Sequence, residues 1–241
     1  MKTMRTRPQE FNATMVYLAD SLVDDFDVLD LADRLVTSAT GLLGAADAGL
    51  MLDDQHGTLR VLLASTEETR LLELLELQNS AGPCFEAFIT GNVVQEPVLT
   101  DRSDDWPDFV QAATAQGITG AYALPMRWRD SVIGAMNLFY GEERHIGVEE
   151  LQMGRALAAI ATIGIINNRI LRRRELVASQ LQAALNSRVI IEQAKGVIAE
   201  REGVSMGEAF EILRAEARAS RRSLGDVARD VTTGTALPGT H

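Results

Sequence analysis

Residues 120–140, GAYALPMRWRDSVIGAMNLFY, decide the fold of the N-terminal part of this chain. Gly120–Met126 and Val132–Tyr140 are short runs rich in apolar and β-compatible residues, and Trp128–Ser131 between them has the length of a tight connection. Two such runs in succession predict a β-hairpin.

The same pattern occurs earlier in the chain. Ala48–Leu52 and Leu59–Ser65 flank a polar connection that contains Gly57, which predicts a second hairpin. Val93–Leu99 is a further strand candidate, and Pro97 marks it as an edge or an end. Helical spacing of apolar residues occupies the segments between these strands: residues 11–43, 67–78 and 109–116. This order predicts an α+β domain built on a mostly antiparallel sheet with flanking helices.

The order of elements, their length and the turn Gly82-Pro83-Cys84 resemble the GAF family of small-molecule sensor domains over about residues 12–170. The resemblance implies a sensor domain at residues 12–150, with helices on both sides of the sheet and often a ligand cavity on one face. Cyclic-nucleotide-binding members carry an Asn-Lys-Phe-Asp-Glu constellation that this sequence lacks. Cyclic GMP and AMP are therefore not expected, and the small-molecule ligand stays unknown.

Four residues are candidates for a sensor pocket: Cys84, Trp106, Tyr122 and Met136. For Trp106, Tyr122 and Met136, packing in the hydrophobic core is the favoured alternative. Cys84 is a redox or covalent-ligand candidate only in a basic or helix-N-terminal environment, and otherwise a small buried side chain. As the single cysteine, it excludes an internal disulfide, and the three widely separated histidines predict no metal site.

A long helix is expected after the sheet, because no proline occurs for some fifty residues from Val148 onward. A heptad-like seam with steps of four and three runs through it, interrupted by Asn167 and Arg174. We expect residues 151–180 to connect the domains, with the first half packing both on its own domain and on a partner chain in a parallel homodimer. The alternative is a helix that only covers its own sheet. The seam residues are Ala156, Ile160, Ile163, Asn167, Ile170, Arg174, Val177, Leu181 and Ala184.

Residues 172–232 predict a small three-helix module. Gly203 breaks the long helix, and Ser205 with Glu208 forms a capping box for the next one. Ser223 with Asp226 is a second cap, and a frayed tail follows Thr232.

This module resembles the ANTAR domain, whose members bind RNA and act as transcription antiterminators. The resemblance rests on Leu181-x-x-Ala184-Leu185-x-x-Arg188, Ile191-Glu192-Gln193-Ala194-Lys195-Gly196, Glu208-Ala209-Phe210-x-x-Leu213-Arg214 and Leu224-x-x-Val227-Ala228. The resemblance implies that dimers of the protein bind a pair of stem-loops in a transcript leader. The predicted RNA-binding residues are Arg188, Ala194, Lys195, Gly196, Ala209, Arg214 and Arg218.

Each of these residues has another interpretation. Lys195, Arg214 and Arg218 can form helix-surface ion pairs, and Ala194, Gly196 and Ala209 can serve close helix packing. The alternative function is DNA binding by a helix-turn-helix-like C-terminal module.

Charge and motifs exclude other classes of function. The net charge is −11, and residues 172–231 carry eleven Lys and Arg against nine Asp and Glu, so only this part is suited to a polyanion. No apolar run is long enough to span a bilayer, and no signal peptide is visible, so a cytoplasmic protein without a membrane partner is expected. No Gly-rich phosphate loop, Ser-His-Asp set or metal spacing is present, so no catalytic residues are predicted and an enzyme is not expected.

Overall fold

The computed structural model describes residues 7–20 and 27–234, and the chain divides into two compact units at Ile170/Leu171. The N-terminal unit is an α+β domain, and the C-terminal unit is helical. The elements in chain order are α1 Arg7–Asp20, α2 Val28–Leu43, β1 Asp47–Asp53, β2 Leu59–Ala64, α3 Glu67–Asn79, α4 Pro83–Thr90, β3 Val94–Glu96, a 3-10 turn Leu99–Arg102, α5 Pro107–Ala115, β4 Gly120–Trp128, β5 Ser131–Tyr140, α6 Val148–Glu202, α7 Met206–Ser220 and α8 Leu224–Thr233.

The five strands form one antiparallel sheet in the order β2-β1-β5-β4-β3. Both predicted hairpins are confirmed. The β4–β5 connection is tight because Arg129 adopts a left-handed conformation (φ 57°). The strand predicted at Val93–Leu99 is shorter than expected: β3 ends at Glu96, before Pro97, which has no N–H to donate to a neighbouring strand.

Helices cover both faces of the sheet. On β5, Leu138 and Tyr140 point into a core shared with α2 and the first part of α6, whereas Phe139 points into a core shared with α4 and α5. This alternation follows from the two-residue period of a strand. The N-terminal unit therefore has two separate hydrophobic cores, one on each face.

The predicted helical segment 11–43 comprises two helices. Asp27 caps α2, since its Oδ1 accepts a hydrogen bond from the Leu29 N–H at 2.8 Å, and Gly44 ends it in a left-handed conformation (φ 64°). Gly41 lies inside α2, so the helix continues past it to Leu43. Residues 21–26, which fall within the predicted segment 11–43, and the predicted tail from 235 onward lie outside the described residues.

Helix α6 runs without interruption from Val148 to Glu202, and Gly203 (φ 67°) follows it. The expectation that its first half packs on its own domain is confirmed, because Leu157, Ala161 and Ile165 are buried in the core of the sheet. Four apolar seam residues lie on another face and are exposed, namely Ile163, Ile170, Val177 and Leu181, whereas the seam residue Ile160 is partly buried against the sheet core. No helix in the described ranges is long and apolar enough to cross a membrane.

The C-terminal unit packs the end of α6 with α7 and α8. The capping box of Ser205 and Glu208 is confirmed, with both reciprocal hydrogen bonds present, and Ser223 caps α8 as predicted. At the start of α8, Gly225 approaches Ser187 so closely that a Cβ would lie 2.9 Å from its Oγ. The small core contains Ala194, Ile198, Ala209, Leu213, Ala217, Val227, Ala228 and Val231.

Candidate RNA-binding surface and sensor interior

Two of the predicted RNA-binding residues are not on the surface. Ala194 and Ala209 are completely buried in the core of the C-terminal unit. Their assignment as RNA contacts was wrong, and the alternative interpretation, close helix packing, applies to both. Side chains this small allow helices to approach closely, so these two alanines position Lys195 and Phe210, their neighbours in the sequence.

Lys195 lies at the centre of the candidate surface. Its Nζ contacts both carboxylate oxygens of Glu192 at 2.9 Å and lies 5.7 Å from the centroid of the Phe210 ring. Its side chain is only 17% exposed, whereas that of Glu192 is 53% exposed. The lysine is thus held by a surface carboxylate on one side and an aromatic ring on the other, and its apolar stem is covered.

The three predicted arginines lie on the same two helices as Lys195 and Phe210, α6 and α7. Arg188 and Arg218 are exposed and form no ion pair with any residue that the structure describes, whereas Arg214 meets Glu211 at 3.6 Å. Both members of that pair are about half exposed or more, so it contributes little stability.

Gly196 follows Lys195 within the C-terminal part of α6, and glycine inside a helix is unfavourable relative to alanine. A Cβ at this position would meet nothing within 4 Å. The glycine is therefore not required by packing within the described part of the chain, and it leaves backbone accessible beside Lys195.

Phe210 is a candidate surface residue that the sequence prediction missed. It is partly buried on α7, and its ring faces the Lys195 ammonium. Its place in the quoted Glu208-Ala209-Phe210 motif was the signal that could have identified it.

The four residues predicted to form a sensor pocket do not come together. Cys84 and Trp106 lie in the core under α4 and α5, while Tyr122 and Met136 lie in the core on the opposite face of the sheet. All four are buried. The prediction of one pocket was wrong, because the sheet separates the two pairs, and core packing describes all four.

Cys84 does not have the environment of a reactive thiol. Its side chain is completely buried, and burial raises the pKa of the thiol well above its usual value, with the nearby Glu76 and Glu73 carboxyls acting in the same direction. The thiolate, which is the reactive form, is therefore disfavoured.

Those two glutamates form the most unusual polar site of the N-terminal unit, and the sequence prediction missed them. Helix α3 is oriented so that Glu73 and Glu76 are completely buried while Leu71 is 53% exposed. Asn137 of β5 is buried against them. A sequence signal existed: Thr69, Leu72, Glu73 and Glu76 share one helical face, but the apolar leucines around the rest of the helix concealed it.

The two carboxyls differ in their hydrogen bonds. Glu76 Oε2 accepts from the backbone N–H of Cys84 at 3.0 Å and of Phe85 at 3.2 Å, and its Oε1 accepts from Asn137 Nδ2 at 3.1 Å. Glu73 Oε1 has one long contact with Asn137 Nδ2 at 3.5 Å. Glu73 Oε2 and Asn137 Oδ1 have no hydrogen-bond partner among the described residues.

Burial changes the acidity of both groups. It raises the pKa of Glu76 to about 8, although the hydrogen bonds from Phe85, Cys84 and Asn137 oppose the shift. Burial together with the nearby Glu76 raises the pKa of Glu73 well above its ordinary value. Both carboxyls therefore favour the neutral form at neutral pH.

Glycines make room for these side chains. A Cβ on Gly49 of β1 would lie 1.9 Å from Glu73 Oε1, and a Cβ on Gly82 would lie 2.4 Å from Glu76 Cγ. Gly82 also has a positive φ of 145°. Two glycines thus accommodate two buried acids.

An open groove of about 820 Å³ lies between β2, the edge strand of the sheet, and α3. Its wall includes the apolar residues Val61, Leu63, Leu74, Leu77 and Phe85. Arg70 and Glu67 lie at its polar end and pair with each other at 2.5 Å. The groove contains none of the four residues predicted for a sensor pocket.

Family and structure comparisons agree with this division. The GAF domain model matches residues 27–165, and the ANTAR domain model matches residues 179–231. No protein among curated sequences matches the chain.

Solved GAF domains have the same fold as the N-terminal unit. The GAF domain from a Coxiella burnetii phosphoenolpyruvate-protein phosphotransferase has 12% identity and a TM-score of 0.53, over 68% of this chain and 97% of that one. The corresponding domain from Acinetobacter has 10% identity and a TM-score of 0.51, over 66% of this chain and 93% of that one. The phycoerythrobilin-bound GAF domain of a cyanobacterial phytochrome has 15% identity and a TM-score of 0.53, over 67% of this chain and 97% of that one.

At these identities the similarity establishes the fold and not the ligand. The GAF model, in contrast, matches more than half of the chain in sequence, and the ANTAR model matches its C-terminal helices. The chain therefore belongs to the GAF domain family and carries a C-terminal ANTAR domain.

Proposed function

We propose that this protein is a regulator that binds stem-loop RNA through its ANTAR domain and prevents transcription termination under the control of its GAF domain. The observation that carries the proposal is the arrangement of Lys195 between Glu192 and the Phe210 ring, beside the unobstructed Gly196. It is a binding arrangement and not a catalytic one, so we propose a regulator and not an enzyme.

The chemistry of this surface suits an unpaired RNA loop. Recognition of single-stranded loops uses aromatic rings that stack on bases, together with cationic side chains that contact phosphates or base edges. Phe210 supplies a ring, Lys195 a cation that can exchange Glu192 for a phosphate, and Arg188 and Arg218 two further exposed cations. Gly196 allows the RNA to approach the helix backbone.

The low positive charge of the domain favours recognition by a few contacts in two linked copies. A net charge of +2 over residues 172–231 gives only weak non-specific attraction to a polyanion. Linking two weak sites raises the overall affinity without new contacts, provided that both sites engage together. This agrees with RNA that presents a pair of stem-loops.

The second copy is supplied, in this proposal, by a parallel homodimer along α6. Ile163, Val177 and Leu181 are 49%, 55% and 63% exposed and lie on the seam with a heptad spacing. Exposed apolar residues in register along one helix are typical of a coiled coil. A signal in the GAF domain would act by changing the alignment or the population of this dimer, which requires that the signal bind two states differently.

The test begins with RNA that co-purifies with the full chain. This RNA is sequenced, and binding is then measured by gel shift with the identified hairpin and with duplex DNA of the same sequence. Lys195→Ala is expected to weaken RNA binding about tenfold or more, the effect of losing one charge-assisted contact.

The matched control is Arg60→Ala, which removes one exposed cation from the GAF domain. It should leave RNA binding unchanged. Undiminished binding by a folded Lys195→Ala variant would contradict the proposed surface, and tighter binding of the DNA duplex would favour a DNA-binding regulator instead.

A further inference from the structure

Most arginines of the N-terminal unit have a carboxylate or an aromatic ring as a partner. Acids are plentiful there, because residues 172–231 hold eleven of the twenty-three Lys and Arg but only nine of the thirty-four Asp and Glu, so elsewhere acids outnumber bases about two to one. Five arginines form ion pairs and two others lie over rings, namely Arg7, Arg60, Arg70, Arg102 and Arg144 in the first group and Arg34 and Arg129 in the second. Within the described part of this unit, three arginines have neither partner: Arg127, Arg155 and Arg169.

Two of these three arginines line the same small pocket, although they come from different elements. Arg127 lies near the end of β4, and Arg155 lies in the first part of α6. The pocket has a volume of about 260 Å³, and no Asp or Glu is among the described residues that line it. Like charges that share a pocket repel each other, and an anion between them removes that repulsion. Arg169 is not part of the pocket, since it donates to the Asp53 carbonyl oxygen.

The fold fixes the position of Arg127. Its Nη1 donates to the carbonyl oxygen of Gly91 at 3.1 Å, at the C-terminal end of α4, where the helix dipole favours a cation. A Cβ on Gly91 would lie 3.0 Å from the same Nη1, so the glycine lets the guanidinium lie against the backbone. This contact uses one of the N–H donors of Arg127, and the others have no partner among the described residues. They are therefore available to a ligand.

The pocket exists because β3 is short. Strand β3 pairs only with residues 121–123 of β4, so within the described ranges residues 125–127 have no strand beside them on that edge. Asn92 and Val93, which precede β3, line the pocket in place of a strand. On α6, the wall is formed by Ala159, one turn after Arg155, and its side chain is a single methyl group. A gap thus remains between the sheet edge and the helix.

We propose that this pocket binds a small organic anion, a carboxylate or a phosphomonoester. The anionic head accepts hydrogen bonds from Arg127 and Arg155, because a planar guanidinium group matches the oxygens of either anion. Val93, Pro125 and Ala159 supply apolar surface for a short body of the ligand. The volume is below the roughly 300–1,000 Å³ of pockets for drug-sized ligands, so the ligand has few atoms.

This inference rests on the proposed function, since it gives the class of ligand that the GAF domain senses. Arg155 lies on α6, the helix that also carries Lys195. An anion held by Arg127 on the sheet and by Arg155 on α6 stabilises the packing of the helix on its own domain. Binding therefore favours the state in which this part of α6 is held over any state in which it is released.

Binding to the full chain is measured without RNA, so the result is independent of the proposed RNA function. The probes are butyrate, succinate and ethyl phosphate at constant ionic strength, because added salt screens charges. Butyramide is the neutral analogue of butyrate. A saturable rise in melting temperature is expected with at least one anion and none with butyramide, and the anion that binds best identifies the head group. Loss of RNA binding with retained anion binding would count against the proposed RNA function alone.

Two variants locate the site. Arg155→Gln removes one of the two charges and should weaken anion binding about tenfold or more. Arg173→Gln removes an exposed arginine from the same helix outside the pocket and should bind like the original protein. In the unmodified protein, the amide NMR signals of Asn92 and Ala159 should shift on adding the anion, which tests the site even if Arg155→Gln does not fold.

The inference is overturned if none of the three anions binds saturably, or if butyramide binds as well as butyrate. Equal anion affinity of Arg155→Gln and the original protein would also overturn it, as would unchanged signals of Asn92 and Ala159 at saturation.

Discussion

Replacing Gly49 with alanine tests directly whether the Glu73 carboxyl occupies the space above β1. The new Cβ would lie 1.9 Å from Glu73 Oε1 and 2.4 Å from its Cδ, so the carboxyl must move. It is completely buried, and any movement breaks its contact with Asn137. Forcing an extra carbon into a packed interior costs about 1–3 kcal/mol, and we expect Gly49→Ala to lower the free energy of unfolding by that amount.

The effect of Gly49→Ala on the free energy of unfolding should change from destabilising to stabilising when Glu73 is absent. The three atoms that a Cβ on Gly49 would meet most closely all belong to Glu73, so these close contacts are removed in a Glu73→Ala background. Alanine is then favoured over glycine inside a strand by about 0.5–1 kcal/mol. The two substitutions should therefore be coupled by about 1.5–4 kcal/mol in a double-mutant cycle.

Urea unfolding followed by tryptophan fluorescence is the suitable assay. The chain has two tryptophans, Trp106 and Trp128, and both lie in the N-terminal unit, so the signal reports that unit alone. The urea concentration at the midpoint of unfolding is compared for the original protein, both single variants and the double variant. Equal destabilisation by Gly49→Ala with and without Glu73 would refute the placement of the carboxyl.

Three further expectations follow from the same structure. The folded-state pKa of Glu76 is about 8 against an ordinary 4.5, so the native state holds this proton more tightly. Stability should fall as pH rises between these values, by about 1.4 kcal/mol per pH unit for one such proton, and urea midpoints of Glu76→Gln should depend less on pH. Cys84 should react with a thiol reagent only at the rate of unfolding, because it is completely buried; rapid labelling of the folded protein would contradict this. Leu181→Glu, on the exposed seam, should yield monomers in analytical ultracentrifugation, whereas Leu176→Glu, 57% exposed but off the seam, should not; identical behaviour would argue against the seam.

Features with a local signal were predictable from the sequence. The hairpin of residues 120–140 was recognisable because strand period and turn length are encoded by neighbouring residues. The same holds for the capping box of Ser205 and Glu208, whose two hydrogen bonds join residues three positions apart. Gly203 as the end of α6 belongs to this group, since its left-handed conformation is a property of the residue itself.

Features that depend on partners distant in sequence were not predictable. Tyr122 and Cys84 were grouped in one pocket because both belong to apolar segments, but they lie on opposite faces of the sheet. Strand alternation shows which side chains share a face, but not which helices cover that face. Ala194 was equally compatible with a surface contact and with a helix interface until α7 and α8 were placed.

By itself, the sequence determined the order of helices and strands, the helix caps, the low charge of the C-terminal module and the motif that contains Lys195. These rest on periodicity, composition and short-range hydrogen bonds. Only the tertiary structure decided that Phe210 faces Lys195 and that Glu73 and Glu76 turn inward toward Asn137, sixty-four residues beyond Glu73. Such contacts arise because packing brings distant segments together, and the leucines around the rest of α3 conceal from the sequence which side of the helix will be buried.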